Sequence, residues 1–256
     1  MYRSRSLFLL TVLVGLCLTG CPTDPVDQVD DLVSSPAVDT TDFSVDPGMT
    51  SPDLSALTVA PVLEVPIVDL SGEIEAIASG GTGPGYALGD VLCDEPCAFP
   101  FGAPLPQGID NIGFEFVVKK GAEVRSATTG FVHFIKENNN TQDFELHILL
   151  VEYGAYRLIY DHIQPTVSKG DVVEVGQVLG TAGPWGPSHG RVELQVNFED
   201  PVTFETWAVC PAEYGTDDFV ALHQKWLDMH NQAAVSSTHP HFQIYDNLCM
   251  AEKRFP

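Results

Sequence analysis

Side chains able to do acid–base chemistry or to bind a ligand lie on two segments in the second half of the chain. Glu193 and Gln195 alternate with apolar residues after a glycine-rich turn, the period-two pattern of a strand with one buried and one polar face. His162 closes another alternating segment. Carboxylates and imidazoles serve as general acids and bases, and a polar row beside a glycine-rich loop suits a binding groove. An ordinary solvated strand has the same pattern, so both interpretations stay open here.

Several motifs around these residues resemble the M23 (LytM-like) peptidoglycan endopeptidases. Residues 167–180 read VSKGDVVEVGQVLG, similar to the family signature of valine, Gly-Asp, valine, Gly-Gln and glycine. Residues 160–162 have the family's Tyr-x-His motif, and residues 121–132 are similar to its glycine-, valine- and alanine-containing strand pair. Where the family has His-x-His on a strand, this chain has Glu, Leu and Gln at residues 193–195. The resemblance implies an M23 β-sheet domain over about residues 99–214.

The family's chemistry depends on one zinc ion with three protein ligands and an open position for the water that the metal activates. By resemblance, Asn111 and Glu115 stand at the first two ligand positions and Gln195 at the third. His162 and Glu193 stand at the family's two catalytic positions. This alignment needs one extra residue in the glycine-rich loop, and without it two apolar neighbours would occupy the last motif.

These residue types predict that the site has lost its zinc. Asn111 and Gln195 offer neutral amide oxygens, which are poor zinc ligands beside imidazole, so Glu115 is left as the one good ligand. An all-oxygen set that includes Glu193 would suit Ca²⁺ or Mg²⁺ better. We expect no cofactor, a vestigial His162, and a groove lined by polar side chains.

The resemblance and these losses together imply a degenerate M23 domain. We expect a cell-envelope protein that does not catalyse, and that binds peptidoglycan or regulates a cell-wall hydrolase, as degenerate family members do for amidases. The alternative is an active M23-type zinc metalloendopeptidase, cleaving peptidoglycan cross-bridges with a rearranged site. That site would combine His162 and Glu115 with Glu193 or with His189, which we otherwise expect to be an exposed turn histidine. A structural lipoprotein whose groove has no ligand is the third hypothesis.

The elements that must position these residues are short strands separated by frequent turns. Apolar residues alternate along residues 144–150 and 157–162, and the second alternation predicts that Leu158, Tyr160 and His162 share a face. Residues 217–233 are predicted to form a helix with one apolar face. The expected fold class is therefore mainly β, an antiparallel sheet or sandwich of the M23 (LytM) type with a C-terminal α-helix.

Composition divides the 256 residues into four parts. We expect a signal peptide at residues 1–20, an acidic Pro/Ser/Thr-rich tether at 21–85, the M23-like β domain at 86–215, and a helix with a tail at 216–256. Residues 57–77 of the tether are more apolar and could instead pack on the domain as an extra strand. The net charge of -23 argues against nucleic-acid binding, which needs a cationic surface.

The N-terminus has the features of an export signal. Arg3 and Arg5 precede an apolar stretch at residues 7–18 that is too short to span a membrane. The segment that ends in Cys21 reads LTGC, which resembles a bacterial lipobox. This predicts an exported lipoprotein, anchored through lipid on Cys21 in the cell envelope at the outer membrane or periplasm. An ordinary secretory signal with a chance cysteine is the alternative.

Four further cysteines lie in the exported part, where disulfides persist: Cys93, Cys97, Cys210 and Cys249. Four cysteines allow three pairings. Proximity favours Cys93–Cys97 and Cys210–Cys249. A zinc cluster is the competing interpretation, but the sequence offers it neither a second close Cys-x-x-Cys pair nor a clear histidine partner.

Overall fold

The computed structural model describes residues 57–78, 85–105, 108–239 and 242–254. The predicted signal peptide, Cys21 and the first part of the tether lie outside the described residues. Among the described ones, no helix is both long and apolar enough to cross a membrane.

Fourteen strands are found within the described ranges, and all belong to one sheet. They are β1 (Glu75–Ile77), β2 (Gly85–Leu88), β3 (Val91–Cys93), β4 (Ala98–Phe99), β5 (Phe114–Lys119), β6 (Glu123–Arg125), β7 (Gly130–Asn138), β8 (Asp143–Leu149), β9 (Tyr156–Pro165), β10 (Val172–Val173), β11 (Val178–Trp185), β12 (His189–Glu199), β13 (Thr206–Val209) and β14 (Lys253–Arg254).

Strand β12 is central to the sheet, because it pairs with β5, β9, β11 and β13. The main path runs β1-β2-β3-β5-β12-β11-β9-β8-β7-β10, and the paired strands are antiparallel. The mainly β, antiparallel fold class is thus confirmed.

The C-terminal helix α1 (Asp217–Ser236) extends a few residues beyond the predicted end at residue 233. Its aromatic face packs on β5, with the Trp226 ring 4.5 Å from Phe116 and 5.8 Å from Phe114 between centroids. Because successive side chains of a strand point to opposite faces, this packing turns Glu115 away from the helix. The helix therefore covers one face of β5 and leaves the opposite face for Glu115.

The N-terminus of α1 is capped by Thr216, whose side-chain oxygen accepts a hydrogen bond from the backbone N–H of Phe219 at 3.3 Å. We expect Thr216→Ala to lower the stability by about 1 kcal/mol, because a helix N–H loses its acceptor. Thermal unfolding should show a decrease of roughly 2–4 °C. Thr216→Ser keeps the hydroxyl and is the control; equal losses in both variants would contradict a capping role.

Residues 57–78 are part of the folded domain, which corrects the predicted tether boundary at residue 85. Leu63, Ile67 and Leu70 are buried in the core, and β1 pairs with β2. The backbone N–H of Leu63 also donates to the carbonyl of Tyr214 at 2.9 Å. The apolar character of this segment explains the difference, since buried apolar side chains offset the cost of ordering the chain.

Both disulfides that proximity favoured are present, Cys93–Cys97 and Cys210–Cys249. His230 lies beside the first, with Nδ1 3.7 Å from Cys97 Sγ. Its two ring nitrogens are already used, since Nδ1 accepts from the Ala98 N–H at 3.1 Å and Nε2 donates to the Gln243 carbonyl at 2.9 Å. This histidine is a hydrogen-bonded core residue, which argues against the zinc-cluster alternative.

Candidate functional site

Three carboxylates form a row across the middle of the sheet. Glu193 on β12 lies directly opposite Glu115 on β5, and on its other side it lies opposite Asp161 on β9. Directly opposite residues of antiparallel strands share a face, with Cβ atoms about 5 Å apart. The structure therefore brings Glu115 and Glu193 together and adds Asp161, which had not been predicted from the sequence.

The polar face of β12 carries Glu193 and Gln195, while Val192 and Leu194 are buried in the core. The segment that precedes β5 lies closely against this face. At Gly113, a Cβ atom would approach Glu193 Oε1 to 2.7 Å and the Leu194 carbonyl oxygen to 2.5 Å. Only glycine permits this approach, so Gly113 allows the segment to cover the row.

Asn111 lies at the start of that segment, but its amide serves the backbone. Its Nδ2 donates to the carbonyl of Phe99 at 2.6 Å and to that of Gly113 at 2.8 Å. The side chain is 2% exposed. Asn111 therefore holds the segment in place through hydrogen bonds to backbone carbonyls.

His162 occupies a β-bulge and not a regular strand position. Its φ is 57°, and the pairing of β8 with β9 shifts register between Phe144 and Leu146. The predicted face shared by Leu158, Tyr160 and His162 is therefore wrong at its last residue, because Ile163 is buried in the core instead. A bulge re-aims a side chain, and here it directs the imidazole toward the carboxylate row.

The imidazole of His162 is held by Asp143, a residue without a sequence motif. His162 Nδ1 lies 2.9 Å from Asp143 Oδ2, and Asp143 is 1% exposed. The amide of Asn138 donates to Asp143 at 3.0 Å and to Asp161 at 2.8 Å, which links the two carboxylates. With Asp143 as acceptor, the His162 proton lies on Nδ1, so that Nε2 is the nitrogen that faces the row.

Arg191 supplies the cation of the site. Its Nη2 contacts His162 Nε2, its Nε lies 3.5 Å from Glu115 Oε1, and its Cζ lies 4.8 Å from the centroid of the Trp185 ring. No sequence motif had indicated this residue. The signal was available, because Arg191 precedes Glu193 by two residues and so shares its face in an alternating strand.

Burial and mutual repulsion control the charge of the row. Burial, together with the negative charges of Glu115 and Asp161, raises the pKa of Glu193 to about 8, and Arg191 acts in the opposite direction. Burial also raises the pKa of Glu115, opposed by Arg191 and His162. At neutral pH Glu193 therefore holds a proton, and the row carries less negative charge than its composition suggests.

His189 lies outside the row. Its Nε2 is 3.0 Å from Asp94 Oδ1, within the loop closed by Cys93–Cys97. Trp185 donates from Nε1 to Glu95 of the same loop at 3.2 Å. His189 is thus half-buried against this loop beside Asp94, and it is neither the displaced ligand nor the exposed turn histidine that the sequence suggested.

The donors of the site do not fit a zinc ion. Asn111 and Gln195 offer amides, and the guanidinium of Arg191 lies against Glu115. Asp143, Asp161 and His162 do place ligand atoms within 4.8 Å of one another. Asp143 already accepts hydrogen bonds, and His162 Nε2 contacts a cation, so this second set is equally unsuited.

Residues 110–203 match the family model of Peptidase family M23. Comparison with curated proteins finds no match. Solved structures give partial likenesses. Lysostaphin from Staphylococcus simulans is 20% identical, with 46% of this chain and 48% of that chain covered and a TM-score of 0.36. The catalytic domain of the prophage-encoded M23 protein EnpA from Enterococcus faecalis is 16% identical, with 59% and 98% covered and a TM-score of 0.36.

Csd3 from Helicobacter pylori is 19% identical, with 66% of this chain and 49% of that chain covered and a TM-score of 0.35. The aligned region therefore spans about half the length of both lysostaphin and Csd3.

Proposed function

Residues 110–203 form a domain of peptidase family M23, and from this we propose that the chain is an exported cell-envelope protein whose M23 domain has lost catalysis. In this proposal the protein binds peptidoglycan or regulates a cell-wall hydrolase. It is held at the membrane by lipid on Cys21, and the acidic segment before residue 57 gives it reach toward the wall. The match to the family points to peptidoglycan, and the residues of the site argue against hydrolysis.

The observation that carries the proposal is the guanidinium of Arg191 against Glu115 and His162. Hydrolysis by this family needs a metal-activated water, and His162 would act only on the proton of such a water. Here a fixed cation lies at Nε2 of His162, with two amides at the other ligand positions. The polar residues of the site are also each less than a tenth exposed: Asn111, Glu115, His162, Glu193 and Gln195.

Trp185 is the part of the site that faces solvent. Its side chain is 40% exposed, and Arg191 and Glu95 hold the ring in place. Rigid aromatic rings are frequent anchors of binding surfaces, because they bury a large area at a small entropic cost. We therefore place the contact with the wall or with a hydrolase at the rim around Trp185, and not inside the covered row.

The test combines three measurements on the purified full-length chain. We expect no fragments released from cross-linked peptidoglycan, near-zero zinc per chain after incubation with Zn²⁺ and desalting, and co-sedimentation with peptidoglycan or a changed rate of an added wall amidase. Trp185→Ala should weaken the binding or regulation about tenfold. Phe204→Ala is the matched control, since Phe204 is 74% exposed on the turn between β12 and β13.

Fragments released with Zn²⁺ and abolished by a chelator would establish the alternative, an active M23-type metalloendopeptidase with a rearranged site. A chain that neither sediments with peptidoglycan nor alters hydrolase activity would leave only the structural lipoprotein, and would overturn the proposal.

A further inference from the structure

Arg191 lies between two positions that have defined roles in the family. Glu115 stands at a ligand position and His162 at a catalytic one, and the guanidinium contacts both. In a family enzyme, the metal and its water occupy the space between such residues. Here the guanidinium of Arg191 lies against both residues.

The surroundings of Arg191 are strongly acidic. Glu115 and Asp161 belong to the row beside it, and Asp143 lies behind His162. Buried carboxylates are costly unless a cation or a proton compensates them. The Arg191 side chain is 18% exposed and its Nε lies 3.5 Å from Glu115 Oε1, so its charge is close enough to the row to provide that compensation.

The guanidinium is also fixed in position. Trp185 lies against it with 4.8 Å between Cζ and the ring centroid, and its Nε is buried without a hydrogen-bond partner. At 3.5 Å, Nε interacts with Glu115 Oε1 through charge more than through a hydrogen bond. A planar, permanently charged group that stacks on an aromatic ring can do this, and lysine cannot do it as well.

We propose that the guanidinium of Arg191 takes the place of the metal ion in this M23 domain. It is a built-in cation that neutralises Glu115, covers His162 Nε2 and makes the fold complete without a metal. This inference goes beyond the proposed function, because it concerns what replaced the metal and not what the domain binds.

Removing the guanidinium should recreate a cation site. The vacated space would be lined by carboxylates of Glu115, Glu193 and Asp161 and by the Nε2 atom of His162. Carboxylate oxygens with one imidazole nitrogen form a donor set that Zn²⁺ accepts. The variant should therefore lose thermal stability and recover part of it when a divalent metal is added.

The test is thermal unfolding of the purified full-length chain with chelator, with excess Zn²⁺ and with excess Mg²⁺. For the wild type we expect a shift of less than about 1 °C under all three conditions, since no metal contributes. Arg191→Met should lower Tm by roughly 10 °C in chelator, the scale of a broken buried ion pair. Excess Zn²⁺ should recover several degrees of this loss.

Two further variants serve as controls. Arg191→Lys keeps the charge without the planar group, and we expect a smaller loss of roughly 5 °C. Arg157→Met is the matched control, because Arg157 lies on neighbouring β9 in a partly exposed pair with Glu199 at 3.9 Å. Its loss should be about 1–2 °C, without a response to metal.

Three results would overturn the inference: a wild type stabilised by Zn²⁺ and destabilised by chelator, an Arg191→Met loss no larger than that of Arg157→Met, or a large loss that no metal reduces. If Arg191→Met does not fold, Arg191→Lys and the wild-type response to metal still decide the question. Wall binding is measured separately, so a chain that neither binds peptidoglycan nor alters a hydrolase would leave this result unaffected.

Discussion

Replacing Glu193 with glutamine is expected to stabilise the protein by up to about 5 kcal/mol above pH 8 and to change little near pH 4.5. Burial beside Glu115 raises the pKa of Glu193 from 4.5 to about 8. Between these values the unfolded chain has released its proton while the folded chain retains it. The contribution of Glu193 to wild-type stability is therefore fully present below pH 4.5 and is lost as the pH rises through 8. Glutamine has nearly the same shape and cannot ionise.

Urea unfolding at pH 5, 7 and 9 would measure this difference. The gap in unfolding free energy between Glu193→Gln and the wild type should widen at each step. Glu174→Gln, at an exposed carboxylate, should follow the wild type throughout. Parallel curves for Glu193→Gln and the wild type would show that Glu193 is already ionised in the folded protein at neutral pH.

Acid is expected to destabilise the protein through His223, which is buried among aromatic rings of α1 and β5. Burial lowers the pKa of His223 from 6.5 to about 4, so the unfolded state binds the proton first. The contribution of neutral His223 to stability is fully present above pH 6.5. As the pH falls to about 4, about 3 kcal/mol of this contribution is lost. His223→Leu should remove this loss.

The same substitution should not weaken the protein at pH 7, and a gain of about 1 kcal/mol is expected there. His223 Nε2 is buried without a hydrogen-bond partner. Nδ1–H donates to the Phe219 carbonyl, but this carbonyl is also the acceptor position for the helix N–H four residues later, so it keeps a donor in the leucine variant. Unfolding between pH 7 and 4.5 would test this, with Gln224→Leu as a non-titrating control on the same helix. Equal acid sensitivity of His223→Leu and wild type would contradict the assignment.

Much of the scaffold was predictable from sequence periodicity. The alternation along residues 192–198 predicted a strand with Glu193 and Gln195 on its polar face, and the helical spacing after Asp217 predicted α1. Both signals are local, so they survive in any tertiary context that buries their apolar side. The resemblance to family M23 added the overall fold, which local periodicity cannot supply.

The covered carboxylate row was only partly predictable. Glu115 and Glu193 were expected to be neighbours through the family alignment, but the bulge at His162 depends on how β8 and β9 pair. Asp143 contacts His162 across 19 sequence positions and has no motif. Arg191 was visible in the alternation, yet its role depends on the guanidinium lying against Glu115, which only the tertiary structure specifies.

The way in which the chain enters its domain has a mechanical consequence. Leu63 forms a parallel bridge with Gly215, and the Leu57 carbonyl accepts from the Ala155 N–H at 2.7 Å. Tension applied before residue 57 would load these backbone bonds first, because they lie between the point of pulling and the centre of the sheet. The N-terminal edge of the domain is therefore where such tension would first be resisted, and Glu193 does not take part in these bonds.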